Sequence, residues 1–189
     1  MTESLRHTPL NDEHRRLGAR LVPYAGWEMP VQYAGISAEH RAVREAAGLF
    51  DVCHMGELEV TGPGAVALVR SLVTNDVTRA VAGQATYTCS CNEAGGILDD
   101  LIVYRHADDR VVVVCNAANH DKMAAHFLGA ARPDAAVRDV SDQTALLSLQ
   151  GPRALAVLAR TGCTHDVARE LLSFRFADGA VAGIPVTIA

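Results

Sequence analysis

Two adjacent acids stand inside an aliphatic run, Ile97-Leu98-Asp99-Asp100-Leu101-Ile102-Val103. A carboxylate among aliphatic side chains loses hydration, so it is neutralised, paired with a cation or put to functional use. Arg105 and Arg110 are close enough in sequence to be the cations of a purely structural arrangement. If the run is a strand, its side chains alternate between faces, so only one of the two acids can face a given site. Two other groups could carry chemistry. Cys89, Cys91, Cys115 and His54 can be imagined as zinc ligands, because alternate strand residues share a face. Cysteines with apolar neighbours are, however, more often core. Asn92–Gly96 has the composition of a phosphate-binding loop, but it lies between strands and opens no helix, which favours a plain hairpin turn.

The elements that must position the acids are legible around them. From Ala85 to Asn116, the turn signals Asn92–Gly96 and His106–Asp109 separate three runs rich in β-branched and aromatic residues. That pattern predicts an antiparallel three-stranded meander with Asp99 and Asp100 on its middle strand. Apolar residues of both parities on that strand predict cover on both faces. Upstream, Thr8-Pro9 reads as a helix start and Gly18 as its stop. Pro23 and Pro30 argue against a regular element in the aromatic segment Pro23–Tyr33, which holds the only Trp. Ser37 reads as the cap of a second helix, and Asn119 as the cap of a later one holding Met123, Phe127 and Leu128 on one face. Phe174–Phe176, a turn at Ala177-Asp178-Gly179 and a strand over 181–188 close the chain.

A phrase recurs. Leu58-Glu59-Val60-Thr61-Gly62-Pro63 runs into an apolar helix from Ala65, and Leu147-Ser148-Leu149-Gln150-Gly151-Pro152 runs into another from Ala154. Two strand-Gly-Pro-helix units predict an internal duplication built on split β-α-β halves. Proline suits the first helical turn, whose amide lacks an intrahelical partner. The fold class expected is α+β, with antiparallel or mixed sheets and packed helices. With 189 residues, 49% of them hydrophobic, the chain can bury a core in one or two domains. We expect residues 1–50 and 138–189 in one subdomain, and 51–137 in a second that carries the acid pair.

A net charge of -5 without a basic cluster makes nucleic acid or an anionic membrane a poor partner. No apolar run has transmembrane length, and the N-terminus lacks the apolar core of a signal peptide, so a cytoplasmic location is expected. The five cysteines, an odd number, read as reduced and buried rather than as a disulfide framework.

Taken in order, several phrases resemble the aminomethyltransferase (T-protein) family of the glycine cleavage system. They are Thr8-Pro9-Leu10 with Glu13-His14 and Leu17–Arg20, then Tyr24–Tyr33, Ala47–Gly56, Thr74–Val77, Asn92–Tyr104 and Ala145–Ala154. The resemblance covers nearly the whole chain. It implies transfer of a methylene unit from an aminomethyl group, held on the lipoyl arm of the H-protein, to tetrahydrofolate, with release of ammonia. It implies no metal. It also implies that Asp100 is the essential catalytic acid, meeting the pterin as a buried carboxylate, and that Met55, Tyr87, Ile102, Val114 and Asn116 line the folate site. Asp99 would then be structural, and Trp27, Tyr24 and His54 chiefly packing or hydrogen-bonded framework. The family's chains are about twice as long. They continue past Ala189 with an Arg-Thr-Gly-Tyr-Thr-Gly-Glu segment and a C-terminal barrel, absent from this sequence. An alternative expectation is therefore a truncated, catalytically inactive folate-binding or interaction module.

Overall fold

The computed structural model of the chain describes residues 4–164, 166 and 171–189. The reading of the N-terminus at Met1–Glu3 lies outside them. The described chain is α+β, with every named strand pair antiparallel. Among the described residues no helix is long and apolar enough to cross a membrane.

The chain divides into two compact units. One comprises Met1–His54 with Ala145–Gly162, the other Met55–Thr144 with Cys163–Ala189. The expected boundary between 137 and 138 falls inside a strand, and 163–189 groups with the unit carrying the acid pair.

That second unit is built on β4 (Gly56–Thr61), α3 (Ala65–Leu72), β5 (Gln84–Cys91), β6 (Ile97–Ala107), β7 (Arg110–Cys115), α4 (His120–Gly129) and β8 (Ala136–Asp139). Its five strands lie in the order β5-β6-β7-β4-β8. β4 and β6 flank β7, and β7 and β8 flank β4, which is the interleaving of two split β-α-β units. α3 and α4 cover one face. Leu58 and Val60 of β4, Leu101 and Val103 of β6, and Val111 and Val113 of β7 pack there against Leu68, Val69, Met123 and Phe127. The expected meander is thus present as β5-β6-β7. Cover on both faces is not: at the Asp100 end the opposite face stays open, with Tyr87 53% exposed. At the other end Ala85 is buried, and Tyr104 meets Phe176 edge-on at 5.2 Å. A last hairpin, β10 (Ala177–Val181) and β11 (Ile184–Ile188), turns at Ala182 and Gly183, both at positive φ, and not at the expected Ala177-Asp178-Gly179.

The first unit contains α1 (Asn11–Arg16), β1 (Arg20–Tyr24), β2 (Trp27–Gln32), α2 (Ile36–Glu45), β3 (Gly48–Asp51), β9 (Leu147–Gln150) and α5 (Ala154–Arg160). Contrary to the reading from sequence, Pro23 and Pro30 stand inside regular strands, β1 and β2. In a two-stranded hairpin a missing proline N–H at an outer edge costs no ladder bond, and Arg6 bridges the outer edge of β2 at Trp27, not at Pro30. Ala25 and Gly26, at φ 48 and 82, form the two-residue turn that such a hairpin favours. Thr8 and Ser37 are not caps. α1 starts after Leu10, and α2 after Gly35. Glu39 closes the start of α2 by accepting the N–H groups of Tyr33, Ala34 and Gly35 at 2.7, 2.7 and 2.8 Å.

The duplication is visible in detail. β9-Gly151-Pro152-α5 repeats β4-Gly62-Pro63-α3, and β3 pairs with β9 as β8 pairs with β4. Gly62 and Gly151 have φ of +113 and +112. Two residues on, Gly64 N–H donates to the Asp134 carbonyl at 2.8 Å and Arg153 N–H to the Ala46 carbonyl at 2.9 Å.

Candidate functional site

Register assembles a row of side chains on the open face of the five-stranded sheet. Tyr87 pairs with Ile102, Ile102 with Val114, and Val114 with Glu57, so the four share one face. Asp100, two residues before Ile102, lies on that face opposite Cys89. Asn116 follows Cys115 at the end of β7, at the register position opposite Asp100. Met55, partly buried, precedes Gly56, whose partner is Cys115, so it stands at the same end of the sheet.

The Asp100 carboxylate is held on both oxygens. Tyr87 Oη donates to Oδ2 at 2.8 Å, and Asn116 Nδ2 to Oδ1 at 2.9 Å. Accepting that proton, Asp100 pushes the Tyr87 phenol above its ordinary pKa. The structure therefore brings Asp100, Tyr87 and Asn116 into direct contact and places Ile102 and Val114 beside them. It corrects one expectation: Asp100 is exposed, and Asp99 is the buried acid, at 3% exposure. The physical reason lies in the helices, which cover the face of Asp99, Leu101 and Val103 and leave that of Asp100 and Ile102 open.

Asp99 is satisfied from the β7–α4 junction. Its Oδ2 accepts Asn116 N–H at 2.9 Å, and its Oδ1 accepts Asn116 Nδ2 at 2.9 Å and Asn119 Nδ2 at 2.6 Å. Asn119 therefore precedes α4 without capping it through its side chain, contrary to the reading from sequence. Neither acid is partnered by arginine in these contacts. Arg110 pairs with Glu59 at 2.9 Å, and Arg105 binds Asp108 at 2.8 Å. The Arg110 guanidinium, with that of Arg138, holds the Glu59 carboxyl below the usual range.

The imagined thiolate set is not assembled. Cys115 is fully buried on the helix-covered face, where burial pushes its thiol up to about 12, while Cys89 lies on the open one. His54 stacks edge-on with Tyr24 at 5.7 Å, and its Nδ1 makes no hydrogen bond. Among the described residues no group of three or more His, Cys, Asp and Glu side chains is arranged to hold a metal ion. Asn92 to Gly96 is a hairpin closed by Asn92, whose Oδ1 accepts the N–H groups of Ala94 and Gly96 at 3.1 and 2.8 Å.

Sequence reasoning missed Glu57 as a member of the open face. The alternation Glu57-Leu58-Glu59-Val60 held the signal, since it sets both glutamates opposite Leu58 and Val60, which enter the core.

The arrangement can accept hydrogen bonds from a donor group laid on the open face beside an apolar surface. A carboxylate with one lone pair used on each oxygen keeps others free for N–H groups. Ile102 and Val114 supply apolar surface, and the Tyr87 ring supplies a broad one.

Comparisons with known proteins give the family and the fold. A family model described as the GCVT N-terminal domain matches residues 10–189. An aminomethyltransferase of Rubrobacter xylanophilus is 55% identical over 156 residues, 82% of this chain and 42% of that protein. An aminomethyltransferase of Halalkalibacterium halodurans is 46% identical over 190 residues, covering 100% of this chain and 51% of its own length. The chain thus spans about half the length of the curated relatives it matches. The crystal structure of glycine cleavage system aminomethyltransferase T from Bartonella henselae superposes with a TM-score of 0.85 at 38% identity, covering 92% of this chain and 47% of that one. Heterotetrameric sarcosine oxidase from Corynebacterium sp. U-96 has a TM-score of 0.54 at 18% identity, over 80% of this chain and 75% of that one, a likeness of fold alone.

Proposed function

Because the chain belongs to the GCVT N-terminal domain family, we propose that it serves glycine cleavage as an aminomethyltransferase. The methylene of an aminomethyl group on the lipoyl arm of H-protein passes to tetrahydrofolate. The carbon–sulfur bond breaks and leaves the dihydrolipoyl thiol on H-protein, the carbon comes to bridge the two folate nitrogens, and the two protons those nitrogens lose pass to the sulfur and to the amino nitrogen, which leaves as ammonia. The partner is lipoylated H-protein, and the compartment is the cytoplasm.

One observation carries this reading: the Asp100 carboxylate stands on the open sheet face with Tyr87 on one oxygen and Asn116 on the other. Held at both ends, it cannot rotate freely, and its unused lone pairs remain available to accept N–H groups of a reduced pterin. Asp100 orients the attacking amine and stabilises the cationic character that develops as the carbon transfers. Tyr87 and Asn116 spend their protons on Asp100 and so fix its plane. Ile102, Val114 and Met55 exclude water from one side of the ring.

Isothermal titration of the chain with tetrahydrofolate tests the reading. Binding should be measurable, and Asp100→Ala should weaken it about tenfold or more, the size expected for losing a hydrogen bond to a charged group. Undiminished binding by that variant removes Asp100 from the role. The alternative, a catalytically inactive folate-binding or interaction module, makes the opposite prediction for turnover. Ammonia release from aminomethylated H-protein separates the two, because turnover by this chain eliminates the module.

A further inference from the structure

We propose that Asp99 is a positioning residue for Asp100, acting through the side chain of Asn116. The proposal rests on the reading of Asp100 as the acid that meets the pterin. Asp99 itself cannot touch a ligand on the open face, because its side chain is buried on the helix-covered side of β6.

Asn116 ends in a carboxamide, which donates through nitrogen and accepts through oxygen. Its terminal torsion is broad and roughly two-fold, so the amide nitrogen and oxygen can exchange places at little cost. With nitrogen toward Asp100, Asn116 donates to the carboxylate. With oxygen there, it sets an acceptor against an acceptor-only group. Asn116 Nδ2 lies 2.9 Å from Asp99 Oδ1 and 2.9 Å from Asp100 Oδ1, and 3.2 Å from the Asp100 carbonyl. A nitrogen between two carboxylates fixes which way the amide points.

Asp99 makes this choice durable. It holds Asn116 by the backbone N–H and the side-chain amide together, both at 2.9 Å. It is held in turn by Asn119 at 2.6 Å, whose Oδ1 accepts from Lys122 Nζ at 2.8 Å. The chain of contacts runs from the first turn of α4 through Asp99 and Asn116 to Asp100, and ends on Tyr87. It joins the two faces of the sheet around the end of β7, which no strand pairing does. Partners of this kind fix the orientation of the group that does the chemistry.

NMR and titration on the whole chain test it. In the parent protein the two Asn116 side-chain amide protons should resonate well away from the positions of a solvated asparagine. In Asp99→Asn they should move to those positions, and tetrahydrofolate should bind about tenfold more weakly. In an Asp100→Ala background, adding Asp99→Asn should weaken binding no further, since the group being positioned is gone. An equal loss in both backgrounds overturns the proposal and leaves Asp99 a staple of the β7–α4 junction. Should Asp99→Asn fail to fold, the parent decides: a mobile Asn116 amide there overturns the proposal, and a restrained one supports it. If the parent binds no tetrahydrofolate, the functional reading fails, and the Asn116 signals still decide the positioning.

Discussion

Glu57 shares the open face with Tyr87, Ile102 and Val114, and burial works against its charge. Burial pushes its carboxyl above the usual range, and the Thr144 hydroxyl offsets only part of that. A raised folded value means that the folded chain holds this proton after the unfolded chain has lost it. Stability from this group is then full below the unfolded value of about 4.5 and is lost as pH rises through the folded value. Glu57→Gln should therefore melt a few degrees above the parent near about pH 7, with the gap closing below about pH 4. Calorimetry at the two pH values checks this, and a variant that melts lower at neutral pH would mean that the anion makes a contact outweighing its burial. At this scale the sequence carried half of the acid pair's story. Period-two alternation set Asp99 and Asp100 on opposite faces, but not which face would be covered, because α3 and α4 decide that from elsewhere in the chain. Asn119 was misread for a related reason. A cap is recognised from its neighbours, and its amide is instead spent on a partner 20 residues away.

Between elements, the two Gly-Pro junctions form a matched experiment. A Cβ on Gly62 would lie 2.6 Å from the Asp134 carbonyl oxygen, and one on Gly151 2.5 Å from that of Val43. Both glycines also occupy the positive-φ region that side chains disfavour. Backbone oxygens cannot swing aside as a side chain can. Alanine at either position should cost about 3 kcal/mol or more, from backbone strain and overlap together. Circular dichroism melts of Gly62→Ala and Gly151→Ala check this, and a loss below about 1 kcal/mol at either junction would mean that it relaxes. The repeat was legible in sequence because glycine followed by proline is a local signal needing no tertiary partner. The hairpin of β1 and β2 was not. Its prolines read as breakers, since a single sequence does not say whether a strand sits at an edge or at a centre. The start of α2 was misplaced because its satisfying group, Glu39, lies within the helix and reaches back.

Over the whole molecule, the repeat makes an uneven distribution of stability readable. β4 is paired on both edges, by β7 and β8. Its counterpart β9 is paired with β3 alone among the described strands. α3 buries Ala65, Leu68 and Val69, and α4 buries Met123, Ala124 and Phe127, whereas α2 and α5 bury no residue fully. The principal apolar cluster runs from Leu58 to Val137, wholly inside the unit that holds the acid pair. Local opening follows buried apolar contact and ladder pairing, so amides of equivalent elements should exchange at different rates. Hydrogen exchange should find Val60 and Val113 at least about a hundredfold slower than Leu149 and the amides of α5. That gradient matters for the site, because Tyr87, Asp100, Ile102, Val114 and Asn116 all lie on or beside the strands expected to open last. Leu149 protected as well as Val60 would mean that sheet pairing and the Leu58–Val137 cluster do not set local stability here. The rigidity expected of Asp100 would then need a source other than the strands on which it stands.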